Sequence, residues 1–349
     1  MTTIYTQQRF YFMTLDPVHI GAGGYRLGRV DNAIAREPGT NLPKIPGTSL
    51  AGATRSYAAM RYGKPDVAGQ HKDWQKRKKE DKEAEYKKCP IIYTFGTATD
   101  AGGGQAGTVS IGDAQILFFP VASMAGPVWV STKERIEEAW GKGKVVLPKT
   151  GATEIEPTDK SDDAKVVTSL DWSKELNLGW LLLNCTKGLS IAAPTDIKDK
   201  DEWKAIENRI VLTTAKLFSQ IVNSNLEVRT SVSINPETGA AEDGALFTYE
   251  AIPRATWLWS DVVEDNYAAL NGRAFPKTTN QCKVTTTKDD QDKDIKHYAD
   301  NHSEGVALGE EWKRPLDVVR AGFKLIEYLG VGGMGTRGFG RMRMIGGAQ

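Results

Sequence analysis

The chain has 349 residues and is evenly charged, with 45 Lys and Arg against 44 Asp and Glu. That length holds one large domain or two ordinary ones around a full core, and the charge balance excludes a protein that binds nucleic acid by bulk basicity, so any such contact must come from a local stripe or a surface shared between subunits. Cys89, Cys185 and Cys282 stand far apart with no CxxC pair, no apolar run is long enough to span a membrane, and residues 1–7 lack a secretory pattern; zinc-finger and membrane classes are excluded, and the reducing cytoplasm is the expected location.

Residues 9–15 (RFYFMTL) are aromatic and apolar, as a buried strand requires. A glycine loop over 19–24 and a mixed loop over 25–46 follow. Thr48 or Ser49 can cap a helix that runs to about Arg61, with Leu50, Ala53, Tyr57 and Met60 on one face. Residues 64–90 are a highly charged insertion. Its run Lys76-Arg77-Lys78-Lys79 is interleaved with acids and reads as a solvated face. Residues 108–123 read as paired strands of a central sheet, and 132–140 as a short helix. The polar stretch 142–171 predicts a loop, and the periodicity of 202–221 predicts a helix; 142–225 as a whole is an insertion of uncertain structure. Residues 228–258 return to strand character around the turn 235–239, a long hairpin tip with Asn-Pro and Gly signals. Trp257 and Trp259 belong to the core. Residues 277–304 are polar and predict a mobile loop; 314–329 predicts a helix and 341–345 a strand.

Between that last helix and strand lies the sequence GVGGMGTRGFGR, from Gly330 to Arg341, with six glycines among its twelve residues. Glycine admits a ligand close to the backbone, clustered N–H groups cradle phosphate, and arginine adds a charged fork. The order helix, loop, strand is the reverse of a nucleotide-fold fingerprint, which disfavours a small-molecule enzyme and favours the backbone of a nucleic acid. The alternative is a glycine-rich turn joining two core elements.

Several stretches in order carry a family resemblance: LDPVHIGAG over 15–23, GRVDNAIARE over 28–37, PKIPGTSLAG over 43–52, AGTVSIGDA over 106–114, INPETG over 234–239 with YEAIP over 249–253, and the closing Gly332-Gly333 and Thr336-Arg337-Gly338-Phe339-Gly340. Together they resemble the RAMP superfamily of CRISPR proteins, and within it the backbone subunit of a type III effector, of type III-B (Cmr) most nearly. The resemblance implies one α+β RAMP domain over 1–349, with a modified ferredoxin-like (RRM-like) core, long insertions and a thumb-like β-hairpin. It implies copies of the chain stacked as a filament on a CRISPR guide RNA, beside other effector subunits. Paired single-stranded target RNA is cut at regular intervals by an endoribonuclease. A non-catalytic subunit of the same filament is the alternative. A divalent ion, Mg2+, is implied as cofactor without a dedicated protein site, and the dispersed His71, His297 and His302 make none.

The family's catalytic aspartate lies in the loop after the first strand, which is Asp31 here. Read without the family, Asp31 would be a turn-former or the salt-bridge partner of Arg29 or Arg36. RNA supplies its own nucleophile in the 2′-hydroxyl, so a carboxylate need only align the strand and manage a proton or a metal. His19 is a second candidate, as a general acid or RNA contact, against a structural role bonding the loop. Glu250 is a third: the family places groups near the scissile phosphate from this region of a neighbouring subunit, against the reading of a plain sheet-surface glutamate. RNA contacts are expected at Gly47, Thr48 and Ser49, where a helix start offers free N–H groups, and at Arg36, Arg55, Gly332, Gly333, Thr336 and Arg337. Ala51 stands where the family commonly has lysine; Arg55 and Lys44 are possible replacements. Asp113 is expected to orient core loops.

Overall fold

The computed structural model describes residues 4–23, 30–69, 88–97, 105–160, 163–241, 246–276, 284–288, 294–298 and 312–347. In chain order the main elements are β1 (Tyr5–Thr14), β2 (Lys44–Ile45), α1 (Gly47–Arg61), α2 (Pro90–Phe95), β3 (Val109–Ile111), β4 (Ala114–Val121), β5 (Val128–Ser131), α3 (Lys133–Trp140), β6 (Lys165–Thr168), β7 (Leu176–Leu178), β8 (Leu181–Lys187), β9 (Ile210–Leu212), α4 (Ala215–Ser224), β10 (Glu227–Ser231), β11 (Phe247–Ala251), β12 (Trp257–Asp265), α5 (Pro315–Leu329) and β13 (Met342–Gly346). They fall into two compact units. One holds Met1–Gln8, Gly47–Gly112 and Asp261–Leu329; the other holds Arg9–Pro46, Asp113–Ser260 and Gly330–Gln349.

The second unit carries the sheet, in the order β7-β8-β6-β9-β5-β4-β12-β1-β13, with β2 added beside β4. Its last four strands follow one logic. Along the path β1-α1-β4-β12-α5-β13 they are the second, third, first and fourth strands, which is the order of the expected ferredoxin-like core. β4 is buried at six of eight positions, as a strand covered on both faces must be. Phe118 on β4 meets Trp140 at 5.3 Å between ring centroids and Trp257 at 6.0 Å, and Trp203 closes the group 5.0 Å from Trp140. Trp257 and Trp259 are both core, and the guanidinium of Arg9 lies 4.0 Å over the Trp259 ring.

In the first unit, α1 and α5 cross with Gly322 against Thr54, where a Cβ on residue 322 would lie 2.4 Å from the Thr54 carbonyl oxygen. A separate core gathers Ala58, Tyr62, Val67, Cys89, Ile91, Ile92, Trp312 and Val318, with Tyr62 stacked on Trp312 at 5.6 Å.

Five expectations need correction. Within 108–123, β3 and β4 do not pair with each other; each pairs with β12, β4 through Trp257–Trp259 and β3 through Val262–Glu264. The stretch 142–171 is not simply loop: Lys165–Thr168 is a buried sheet strand, because Val166-Val167-Thr168 is β-branched throughout. The helix expected over 202–221 is interrupted by β9, where Ile210-Val211-Leu212 is fully buried, and α4 starts afresh with Thr214 capping Leu217 N. The hairpin of 228–258 is formed by β10 and β11 alone, and Trp257 onward belongs to the main sheet. Within the expected loop 277–304, Val284–Lys288 and Asp294–Tyr298 pair antiparallel.

Gly322→Ala should destabilise the protein by about 1–3 kcal/mol, since overpacking against a backbone carbonyl outweighs the helix propensity gained. Thermal denaturation would show a Tm lower by a few degrees.

Candidate active site

The site is organised by β11, Phe247-Thr248-Tyr249-Glu250-Ala251. Strand alternation separates its faces. Phe247, Tyr249 and Ala251 pack with Phe339 and Met334, and the Tyr249 and Phe339 rings meet edge-on at 5.4 Å. Thr248 and Glu250 turn the other way. One edge of β11 pairs with β10 in register, Thr230 opposite Thr248. Asn32 forms a parallel bridge with Tyr249, in which Asn32 N donates to the Thr248 carbonyl and Glu250 N to the Asn32 carbonyl.

That bridge sets Asp31 beside Thr248. Asp31 Oδ2 accepts from Thr248 N at 2.7 Å and from Thr248 Oγ1 at 2.9 Å, while Asp31 N donates back to Thr248 Oγ1 at 3.1 Å. The Thr248 backbone N–H, and then its hydroxyl, hold the Asp31 carboxyl below its ordinary value. Asp31 is exposed, and among the described residues Oδ1 has no partner. Of its two expected salt-bridge partners, Arg36 lies elsewhere and Arg29 is outside the described residues.

Arg36 serves Glu250 instead. Their Nη2–Oε2 separation is 2.9 Å, and the two side chains are only 13% and 11% exposed. Arg36 also donates from Nε to Asn223 Oδ1 and from Nη1 to the Ile34 carbonyl, both at 3.2 Å. Glu250 Oε2 has no well-directed donor, so this is a charge contact more than a hydrogen bond. Glu250 is therefore a buried, neutralised strut, not a surface glutamate, and through Arg36 it braces the loop that carries Asp31.

His19 is tied to the same strand, two residues along from Thr248, a spacing of roughly 7 Å. Its Nδ1 lies 2.6 Å from the Glu250 carbonyl oxygen. A carbonyl only accepts, so Nδ1 carries a proton and Nε2 is the nitrogen left for other chemistry. The ring stands edge-on to Tyr249 at 6.1 Å, and the His19 carbonyl accepts from Gly333 N at 3.1 Å.

That last bond docks the terminal glycine loop. A Cβ at Gly332 would lie 2.5 Å from the His19 carbonyl oxygen, and one at Gly340 2.5 Å from that of Val331; both have positive φ, so the fold itself requires these two glycines. Gly333 and Gly335 have neither constraint. Thr336 and Arg337 are exposed, and Arg337 lies 5.7 Å over the Phe247 ring. Arg229 stands 4.7 Å over Phe339.

The expected residues thus separate. Asp31, His19, Glu250, Arg36, Gly332, Gly333 and Arg337 gather on or beside β11. Gly47, Thr48, Ser49 and Arg55 belong to the other unit. Gly47 opens α1, where a Cβ would meet the Ile111 carbonyl oxygen at 2.2 Å, so packing alone demands glycine. Arg55 Nη2 donates to the Val67 carbonyl at 2.9 Å, and Lys44 pairs with Asp113. Neither is the unengaged replacement for the lysine missing at Ala51. Thr248 and Asn223 were missed by sequence reading; the alternation of Phe247-Thr248-Tyr249-Glu250 was the only available signal. Among the described residues no three His, Cys, Asp or Glu side chains converge on one point. No helix among them is long and apolar enough to cross a membrane.

The sequence profile of the RAMP superfamily matches residues 11–343. The chain belongs to the RAMP superfamily. The CRISPR system Cmr endoribonuclease Cmr4 of Pyrococcus furiosus is 30% identical over 276 residues, 76% of this chain and 83% of that protein. Within the superfamily this chain is accordingly a type III-B (Cmr) backbone subunit. Its fold is similar to a chain of the type III-B Cmr-beta complex bound to cognate target RNA, with TM-score 0.52, 14% identity and coverage of 77% and 89% of the two chains. A chain of the apo Cmr-beta complex aligns with TM-score 0.50, 14% identity and coverage of 85% and 98%.

Arg36→Ala should cost about 3 kcal/mol or more by leaving a buried carboxylate unpaired, and Glu250→Gln in that background should recover part of the loss. Chemical denaturation of both variants measures this. The Asp31 tether should show in acid. With the folded-state value below the ordinary 3.8, its contribution is complete above that pH and is lost as pH falls through the folded value. Stability measured between about pH 5 and pH 2 should fall more steeply in the wild type than in Asp31→Asn.

Proposed function

We propose that this RAMP subunit cuts target RNA within an RNA-guided type III-B effector, with Asp31 at the centre of the chemistry. The observation that carries the assignment is a carboxylate held ionised and oriented by Thr248, with its second oxygen exposed. The other candidate carboxylate, Glu250, is buried and neutralised by Arg36.

The reaction this geometry suits uses the substrate's own nucleophile. The 2′-hydroxyl oxygen bonds to the adjacent phosphorus, the bond from phosphorus to the 5′-oxygen breaks, and the hydroxyl proton ends on that leaving oxygen. Asp31 Oδ1 is placed to accept a hydrogen bond from the 2′-hydroxyl and hold it in line. His19, with Nδ1–H committed to the Glu250 carbonyl, presents Nε2 for the proton transfer. Gly333, Gly335, Thr336 and Arg337 form an exposed surface for phosphates, with aromatic rings and arginines interleaved beside it. In this reading the guide RNA, the single-stranded target, further copies of the chain and other effector subunits are its partners. Its place is the cytoplasm, in keeping with three cysteines spaced far apart in the sequence and no CxxC pair.

Asp31→Asn in an assembled complex supplied with divalent ion should lower target cleavage by about 10²–10⁴-fold while guide and target affinities stay unchanged. Single-turnover cleavage and filter binding measure both. Cleavage at the wild-type rate would remove Asp31 from the chemistry. Lost guide binding would make it a loop-holding residue, as a non-catalytic filament subunit requires.

A further inference from the structure

We propose that Thr248 is a positioning residue for RNA cleavage, fixing the direction in which the unbonded oxygen of Asp31 points. This inference rests on the assignment of the chemistry to Asp31.

Three bonds join these two residues, and each has a separate effect. Thr248 N and Thr248 Oγ1 both donate to the same oxygen, Oδ2. The carboxylate therefore cannot turn away from this orientation without losing both donors. The third bond runs in reverse, from Asp31 N to Thr248 Oγ1. The hydroxyl thus donates and accepts at once, which only serine or threonine can do at that distance from the strand. Asp31 is exposed and not packed in place, so these bonds, with the Asn32 bridge, are what orient it. Glu250 lies two residues along the strand and is neutralised by Arg36. Among described residues no cation is paired with Asp31 itself.

The side chain also explains the choice of residue. Threonine is β-branched and suits a strand, and Thr248 lies opposite Thr230 on β10. Valine keeps that shape and the backbone N–H bond but removes the hydroxyl. Serine keeps the hydroxyl and removes the methyl group. The two substitutions separate the hydrogen bonds from the packing.

The experiment compares Thr248→Val, Thr248→Ser and Asp31→Asn in assembled effector complexes under single-turnover conditions. Thr248→Val should reduce the cleavage rate by about 10- to 100-fold, as a misplaced catalytic group does, with target affinity unchanged. The acid limb of its pH–rate profile should move to higher pH, because one of the bonds favouring ionised Asp31 is gone. Thr248→Ser should restore the rate to within a few-fold of wild type. Wild-type cleavage by Thr248→Val, with Asp31→Asn inactive, would overturn the role of Thr248 alone. Equal losses in the valine and serine variants would overturn it as well, since packing would then be the cause. Wild-type cleavage by Asp31→Asn would overturn the assignment of Asp31, and the positioning role with it.

Discussion

The bridge between Asn32 and Tyr249 is the contact on which the rest of the site depends. It is a single parallel pairing between a loop and one strand of a hairpin, yet it decides the surroundings of every titratable group nearby. Because Asn32 aligns with β11, Asp31 meets Thr248 and Glu250 lies close to the loop that carries Arg36. The strand's alternation then sends Tyr249 to the other face, where it meets His19 and Phe339. A shift of one residue in that pairing would exchange the polar and aromatic sets.

Two carboxylates consequently acquire opposite characters within a few residues. Asp31 remains in water and is stabilised as an anion by backbone and hydroxyl donors, which orient it without cancelling its charge. Glu250 is withdrawn from water and balanced by a guanidinium that has two further partners. A charge retained at the surface is available to a substrate; one neutralised inside gives rigidity. The same division runs through the terminal loop, where Gly332 and Gly340 are fixed by close backbone contact and positive φ, and Gly335 by neither.

The ferredoxin-like order was legible through the family resemblance; the residue patterns themselves, an aromatic first strand, a helix after Gly47, a buried middle strand and a last helix before a glycine loop, pointed no further than an antiparallel α+β sheet. Asp31, His19 and Glu250 could be selected through their family motifs, and each lies on or is bonded to β11. What the sequence hid is long-range or local in specific ways. Thr248 is 217 residues from Asp31, and no periodicity connects them. The Ile210-Val211-Leu212 strand was masked by helical spacing on both sides, where β-branching and burial prevailed over period. The roles of Arg36 and Arg55 were misleading for another reason. An arginine near a glycine-rich motif reads as a ligand contact, but Arg36 in its loop and Arg55 on α1 each commit part of the guanidinium to partners within the chain.

The outer end of the sheet bears on how its backbone edge is protected. β7 has only three residues and turns back at once through Gly179, whose carbonyl is bonded by the Asn177 side chain. A long open edge would offer a ladder of unpaired amides to any neighbouring copy and invite fusion of sheets. So short a terminal strand offers almost none. Any strand addition would therefore have to begin elsewhere than at this end of the sheet.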